Sequence, residues 1–539
     1  MSLSLLSRYA FFAACVLFTL ASLPFIHHEW LWPFTLTTGI LSLIGLFDLL
    51  QQRHAVRRNY PILGNIRYLV EAIRPEIRQY LLESDSDALP FSRAQRSLVY
   101  ARAKNEASDK PFGTLIDVYE SGFEFIGHSM RPAPLADPAS FRIIVGGPQC
   151  SQPYSASIFN ISAMSFGSLS ANAIRALNQG AKLGNFHHDT GEGSISPYHR
   201  EHGGDLVWEL GSGYFGCRTP DGRFDPERFA AQARSPQVRM IEIKMSQGAK
   251  PGHGGILPKH KVTQEIAETR GVLMGEDCIS PSRHSAFSTP IEMMQFIAQL
   301  RELSGGKPVG FKFCLGHPWE FMGIAKAMLE TGILPDFIVV DGKEGGTGAA
   351  PVEFTDHIGV PLREGLLFVH NTLVGLNLRD KIKLGASGKI VSAFDIASVL
   401  AIGADWANSA RGFMFAIGCI QSQSCHTNKC PTGVATQDPL RQRALVVPDK
   451  AQRVLNFHHN TLRALAEMLA AAGLEHPAQL EAKHLVRRVS ATEIKLFSQM
   501  HVFLKPGELL TGEVDGQFYS RMWQLARADS FEPHSEVAA

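Results

Sequence analysis

A surplus of charge of either sign is missing from these 539 residues: 52 Lys and Arg face 51 Asp and Glu, a formal +1. The chain therefore offers no global footprint for a polyanion, and nucleic acid is excluded as an expected partner. Low-complexity tracts are absent and 45% of residues are apolar, which removes disorder. The 48 glycines never recur at a period of three, so a collagen-like fibre is excluded too. Cysteine is sparse. Five of the eight (Cys15, Cys150, Cys217, Cys278 and Cys314) stand alone and read as small core residues.

Charge is also missing locally. Residues 9–26 carry none, and after His27-His28-Glu29 a second apolar run covers 30–47. Each run is roughly 18 residues, enough to cross a bilayer core as a helix. Arg8 precedes the first, Arg53, Arg57 and Arg58 follow the second, and no Lys or Arg lies between them. The positive-inside rule then predicts a two-helix membrane hairpin over 1–58, with the remainder on the cytoplasmic side. A signal peptide is the rival reading, but Ala21-Ser22-Leu23-Pro24 is a poor cleavage site.

Residues 59–154 read as an α-rich connecting segment. Ile66, Leu69, Val70, Ile73 and Ile77 recur at helical spacing. Arg93, Arg96, Arg102 and Lys104 form a basic cluster expected on a solvated face. From about 155 short β-prone runs alternate with helical patterns. The expected strands are 157–162, 185–188, 212–217, 240–244, 310–314, 337–341, 381–386 and 405–409. Eight strands alternating with helices over 155–440 predict a (β/α)8 TIM barrel. A doubly wound sheet is disfavoured, because no Gly-x-Gly-x-x-Gly fingerprint follows the first strand. Residues 441–539 read as a helical C-terminal extension, with Leu462, Leu465, Met468 and Leu469 in register.

Polar and glycine residues fall just after these strands, on the face where barrel enzymes build active sites. They include Ala163-Met164-Ser165, Thr190-Gly191-Glu192-Gly193, Gln247 to Lys250, Gly345-Gly346-Thr347, and Ser387-Gly388. Loops after the last two strands commonly hold phosphate, and Ser387-Gly388 with Ser409, Arg411 and Gly412 occupy those places. Arg411 either adds charge to that site or pairs with a surface carboxylate. Cys419, Cys425 and Cys430, the last followed by Pro431, lie within twelve residues. Such bunching suits iron–sulfur ligation by thiolates, with zinc and His426 as the competing reading.

Several of these stretches closely resemble the FMN-binding synthase domain of glutamate synthase. They are Ala163 through Ser170, Thr190-Gly191-Glu192-Gly193, Ile241 through Gly252, Gly345 through Ala349, and Gly418 through Asp438. The resemblance covers about 155–440. It implies FMN at the barrel mouth, a [3Fe-4S] cluster on Cys419, Cys425 and Cys430, and hydride transfer to 2-iminoglutarate, formed from 2-oxoglutarate and ammonia, to give L-glutamate. Carried over by position, Glu192, Gln247 and Lys250 hold and activate the substrate, and Arg270 is a further carboxylate-binding residue. Lys312 resembles a lysine beside the flavin N1 and O2. The flavin loops would be Ala163 to Ser165, Gly345 to Thr347, Ser387-Gly388 and Ser409 to Gly412.

Two departures stand out. His253 replaces an acidic residue of the Lys-Pro-Gly-Glu-Gly-Gly pattern, and Ser282-Arg283-His284 replaces Pro-Pro-His-His. No glutaminase nucleophile and no dinucleotide-binding domain are recognisable, so ammonia or a separate glutaminase, and a separate donor such as ferredoxin or a reductase, are expected as partners. The resulting expectation is a membrane-tethered glutamate synthase-like oxidoreductase acting on CH-NH2 donors. The rival readings are a dehydrogenase feeding a membrane carrier, or a non-catalytic electron-transfer subunit.

Overall fold

A computed structural model describes residues 3–86, 89–512 and 517–535. The chain divides into two compact units, Met1–Arg93 and Ala94–Ala539.

In the first unit α1 (Leu3–Ser22) and α2 (Trp32–Leu50) form the expected hairpin. Both are long and apolar enough to cross a membrane. Thr19 Oγ1 donates to Thr38 Oγ1 at 2.9 Å, and Thr35 Oγ1 donates to Ser22 Oγ at 2.9 Å. Position 19 faces 38 and 22 faces 35, which defines an antiparallel pair. Hydroxyls that bond across helices satisfy each other where no water is at hand. Leu17, Phe34, Leu43 and Phe47 point away from the partner helix and stay largely exposed.

In the second unit eight parallel strands close into a barrel. They are β1 (Phe159–Ile161), β2 (His188–Asp189), β3 (Leu206–Leu210), β4 (Val238–Lys244), β5 (Val309–Phe313), β6 (Phe337–Asp341), β7 (Lys383–Ser387) and β8 (Trp406–Ser409). The β8–β1 pairing, Asn408 against Asn160, completes the ring. Helices between them start on strong signals. Ser170 caps Ala171–Gly184 through Ala173 N, and Thr289 with Glu292 forms a capping box at Pro290–Leu303.

One expected strand is misplaced. The third strand is Leu206–Leu210, buried at every position, and 212–217 is a turn above the mouth. Parallel barrel strands bury both faces and read as continuous apolar runs, whereas 212–217 needs positive φ at Tyr214 and Gly216. The basic cluster also differs from expectation. Arg96 and Arg102 are buried, because helix Arg93–Lys104 meets the long helix Val447–Ala471. Arg102 Nη1 donates to Thr461 Oγ1, and Asn460 Nδ2 donates to the Arg102 carbonyl.

The C-terminal region is mainly helical, and Leu485–Arg488 and Ile494–Leu496 add a small antiparallel sheet with Glu124–Ile126. Helix Val447–Ala471 packs on Ala171–Gly184, with Leu462, Leu465 and Leu469 buried as the periodicity requires. Their crossing depends on Gly180. A Cβ there would lie 2.4 Å from Val454 Cγ1 and 2.8 Å from the Ala451 carbonyl oxygen. Gly180→Ala is expected to destabilise the chain by about 1–3 kcal/mol through overpacking, despite the better helix propensity of alanine. Denaturant unfolding monitored by circular dichroism measures this, and an unchanged midpoint would show that the two helices can move apart freely.

Candidate active site at the barrel mouth

The inside of the barrel is charged where packed Val, Ile and Leu are usual. Asp189 on β2, Glu209 on β3, Glu242 on β4 and Lys312 on β5 are all buried. Glu209 and Glu242 are register partners, and Lys312 pairs with Lys244 across β4 and β5. The Lys312 ammonium contacts Glu209 directly and lies 3.6 Å from Glu242. Burial alone would push that ammonium down, but Glu209, Glu242 and Asp189 outweigh burial and hold its pKa well above the ordinary value. Burial and the Glu209 charge push Asp189 up to about 7, and burial with Asp189 raises Glu242 well above the carboxylate range. Carboxyl oxygens of Asp189 and Glu242 lie within 4.8 Å of each other, and two buried carboxyls that close favour a proton held on the pair.

One layer above, toward the mouth, the sign of charge inverts. Glu192, in the loop after β2, is ringed by cations. Lys244 Nζ lies 3.4 Å from its Oε1, and Ser280 Oγ donates to Oε2 at 3.4 Å. Burial raises the Glu192 carboxyl, yet Lys244, Arg270 and Lys250 together hold it below the usual range. Room for this carboxylate comes from Gly255, whose Cβ would lie 2.0 Å from Glu192 Oε1. Lys250 is buried beside it, and burial lowers its pKa. Gln247 reaches Thr347 Oγ1 at 3.4 Å, and Gly248 N donates to Asp341 Oδ2 at 2.8 Å. The loops after β4 and β6 are thus joined. Glu192, Lys244, Gln247, His253, Ser212 and Ser282 line one narrow pocket.

Arg270 approaches from helix Gln264–Arg270. Its Nη2 donates to the Phe166 carbonyl at 2.9 Å, and the guanidinium lies 5.3 Å from the Phe215 ring centroid. The 163–167 loop also meets the Glu192 loop directly, since Gly193 N donates to Ser165 Oγ at 3.2 Å. Across the mouth, Arg411 Nη2 donates to the Glu344 carbonyl at 2.7 Å, beside Gly346. Ser387 Oγ lies 3.3 Å from Ser162 Oγ, and Ser409 Oγ donates to the Ile390 carbonyl. Burial pushes Arg411 down to about 10. Glu192, Gln247, Lys250 and Arg270 therefore gather at one side of the mouth. Gly345, Gly346, Ser387, Gly388 and Arg411 gather at the other. Lys312 lies in the acidic layer below.

Cys419, Cys425 and Cys430 are free thiols in one loop. Among the described residues the set of three or more His, Cys, Asp or Glu ligand atoms all within 4.8 Å of one another is Asp189, Glu209 and Glu242, occupied in effect by the Lys312 ammonium. Lys261 Nζ donates to the carbonyls of Ser168 (3.1 Å) and Cys425 (3.3 Å). Gln437 Nε2 donates to the carbonyls of Gly167 and Leu169. The cysteine loop is therefore tied to the 163–170 loop.

Sequence reasoning gave no individual role to Lys244, Lys261, Gln437 or His284. His284 donates from Nε2 to the Lys244 carbonyl at 2.9 Å and accepts at Nδ1 from Tyr214 at 3.0 Å. Burial pushes its pKa down to about 4, so it is a neutral prop for β4. Lys244 was recoverable, because it lies two residues after Glu242 on the inward face of one strand.

A closed parallel barrel with a carboxylate among three cations at its mouth is the architecture of an α/β barrel enzyme. The conserved region of glutamate synthase matches residues 145–475, and the chain belongs to the glutamate synthase family. The glutamate synthase large subunit-like protein YerD of Bacillus subtilis is 36% identical over 506 residues, 86% of this chain and 96% of that protein. The archaeal-type glutamate synthase (NADPH) of Thermotoga neapolitana is 34% identical over 313 residues, and the archaeal glutamate synthase (NADPH) of Methanocaldococcus jannaschii is 34% identical over 315. Each of those alignments spans 58% of this chain and 58% of the relative.

Two outcomes follow from the acidic layer. Lys312→Met leaves three carboxyls without their counter-charge and is expected to cost about 3 kcal/mol or more. Asp189 and Glu242 have raised pKa values in the fold. Folding therefore binds protons there, and their contribution to stability is full below about pH 4 and lost as pH rises toward 7. Glu242→Gln mimics the protonated carboxyl and is expected to flatten that decline. Urea midpoints at several pH values between 5 and 8 measure both, and parallel profiles for wild type and Glu242→Gln would refute the shared proton.

Proposed function

We propose that this chain is a membrane-tethered oxidoreductase that reduces 2-iminoglutarate, formed from 2-oxoglutarate and ammonia, to L-glutamate with FMN and a [3Fe-4S] cluster. The observation that carries the reading is Glu192 held ionised by Lys244, Lys250 and Arg270 in a pocket also lined by Gln247. The donor sets fit the cofactors: a guanidinium, hydroxyls and glycine-lined backbone for a flavin phosphate, and three spaced thiols for the cluster. Arg411, Ser387, Gly388 and Gly346 would hold FMN, with Ala163 to Ser165 on its other side. Cys419, Cys425 and Cys430 would ligate iron. When bound, FMN supplies the hydride and the cluster passes electrons one at a time.

The remaining work falls to side chains. Lys250 and Arg270 pair with the carboxylates of a 2-oxo diacid, and Gln247 both donates and accepts. Glu192 is an acceptor only while ionised, so it takes a hydrogen bond from the N–H of the iminium and stabilises its positive charge. That charge makes the imine carbon the better hydride acceptor. Electrons come from a separate donor, such as ferredoxin or a reductase, and nitrogen from ammonia or a separate glutaminase. The two apolar helices and their flanking arginines support a membrane tether with the barrel on the cytoplasmic side. The same hairpin favours one alternative, an amino-acid dehydrogenase delivering electrons to a membrane carrier.

Purified protein is expected to show flavin absorption with an iron–sulfur shoulder, and chemically reduced flavin to reoxidise only when 2-oxoglutarate and ammonia are both present. Lys250→Ala is expected to lower kcat/KM roughly 30-fold or more, the scale for truncating one member of a buried charge pair. Glutamate-dependent reduction of a quinone analogue, without the forward reaction, would select the dehydrogenase instead.

A further inference from the structure

Beyond the hairpin and the short helix Ala55–Asn59, the helix Leu63–Ile77 has an apolar face left exposed among the described residues. In Leu63–Ile77, Ile66, Leu69, Val70 and Ile73 are 56%, 63%, 50% and 44% exposed. The helical turn Arg78–Leu82 continues the stripe with exposed Leu81. Gly64 is the one buried residue of the helix. Successive positions turn by about 100°, so Arg67, Arg74 and Arg78 lie together along one border of that stripe. From Arg53 to Arg78 there are six arginines and two glutamates. A surface that is apolar in the centre, basic along its edge and unpacked is built for an anionic interface.

The end of α2 sets the helix in place. Asp48, 1% exposed, accepts from the Ile62 backbone N–H at 3.0 Å and from the Asn65 side-chain amide. Ile62 itself has φ +68, a conformation that a β-branched residue adopts only under constraint. The chain therefore turns sharply at Ile62, after the short helix Ala55–Asn59, and Leu63–Ile77 starts there. A buried carboxylate at the end of α2 thus fixes the start of that helix.

We propose that residues 63–82 lie in the headgroup plane of the bilayer, apolar stripe inward, with Arg67, Arg74 and Arg78 engaging anionic phospholipid. The proposal rests on the membrane reading of the hairpin and adds a lipid class to it. The segment then acts as a second anchor, and the tether is sensitive to lipid charge. Neutral apolar burial alone would give no such dependence, since phosphatidylcholine offers no net charge to an arginine.

Hydrogen exchange of the full-length protein in nanodiscs, with mass-spectrometric readout, tests it. Discs of phosphatidylcholine alone are compared with discs containing phosphatidylglycerol. Amides of 63–82 are expected to exchange more slowly with the anionic lipid, by about fivefold for each engaged arginine. The triple variant R67Q/R74Q/R78Q is expected to lose that difference, and I66D/I73D to exchange fast in both discs. If 63–82 exchanges identically in both discs and in both variants while residues 8–25 and 32–50 stay protected, the helix faces protein or water and the proposal fails alone. If residues 8–50 also exchange freely and the protein does not enter discs, the membrane reading fails and takes the proposal with it.

Discussion

A single buried ammonium has to balance three carboxyls inside a closed barrel, and much of the mouth follows from how it does so. Lys312 cannot neutralise Asp189, Glu209 and Glu242 together, and a medium of low effective dielectric does not tolerate a residual double charge. The layer therefore favours protons, and burial with the neighbouring carboxylates raises the pKa of both Asp189 and Glu242. Charges so placed also constrain the strands. Asp189, Glu209, Glu242 and Lys312 come from four successive staves, so a one-residue slip of any stave would turn its charge outward into the packed helices. The polar layer costs stability relative to an apolar one, while fixing which residues reach the rim.

What reaches the rim depends on that register. Lys244 stands beside Lys312 in the β4–β5 ladder, yet it pairs with Glu192 in the layer above. His284 then holds the Lys244 backbone through its carbonyl. The cysteine loop is joined to the mouth by Lys261 and Gln437, both of which bond carbonyls of the 163–170 loop. The cysteine loop and the 163–170 loop, bonded in this way, cannot move independently.

Much of this was legible in the sequence, for reasons that differ by region. The barrel was readable because its staves alternate with helices that carry local caps, as at Ser170 and Thr289. The rim residues were readable because glycine-rich turns follow strands in order. The third stave was misread because 206–210 is apolar on both faces and lacks alternation, while the aromatic turn after it looks β-prone. Arg96 and Arg102 were misread because a charged helix face looks solvated until a distant helix, some 350 residues on, covers it. Lys261, Gln437 and His284 act through backbone carbonyls far away in sequence, and no local pattern encodes that.

The two charge layers are best understood together. If the lower carboxyls were all ionised, they would offset Lys244, Lys250 and Arg270, and the mouth would have little attraction for a dianionic oxo acid. Because the raised pKa values of Glu242 and Asp189 favour protons in the lower layer and Lys312 pairs with Glu209 there, the upper layer keeps its positive balance around Glu192. Protonation below thus sets the field above. The same arrangement explains why Glu192 is held below the usual carboxylate range while Asp189, more deeply buried at the end of β2, is pushed above it: the first faces three cations, and the second faces two carboxylates and shares one lysine with them. Two acids three residues apart are thereby shifted in opposite directions by their neighbours, and of the two only Glu192 lines the pocket at the mouth.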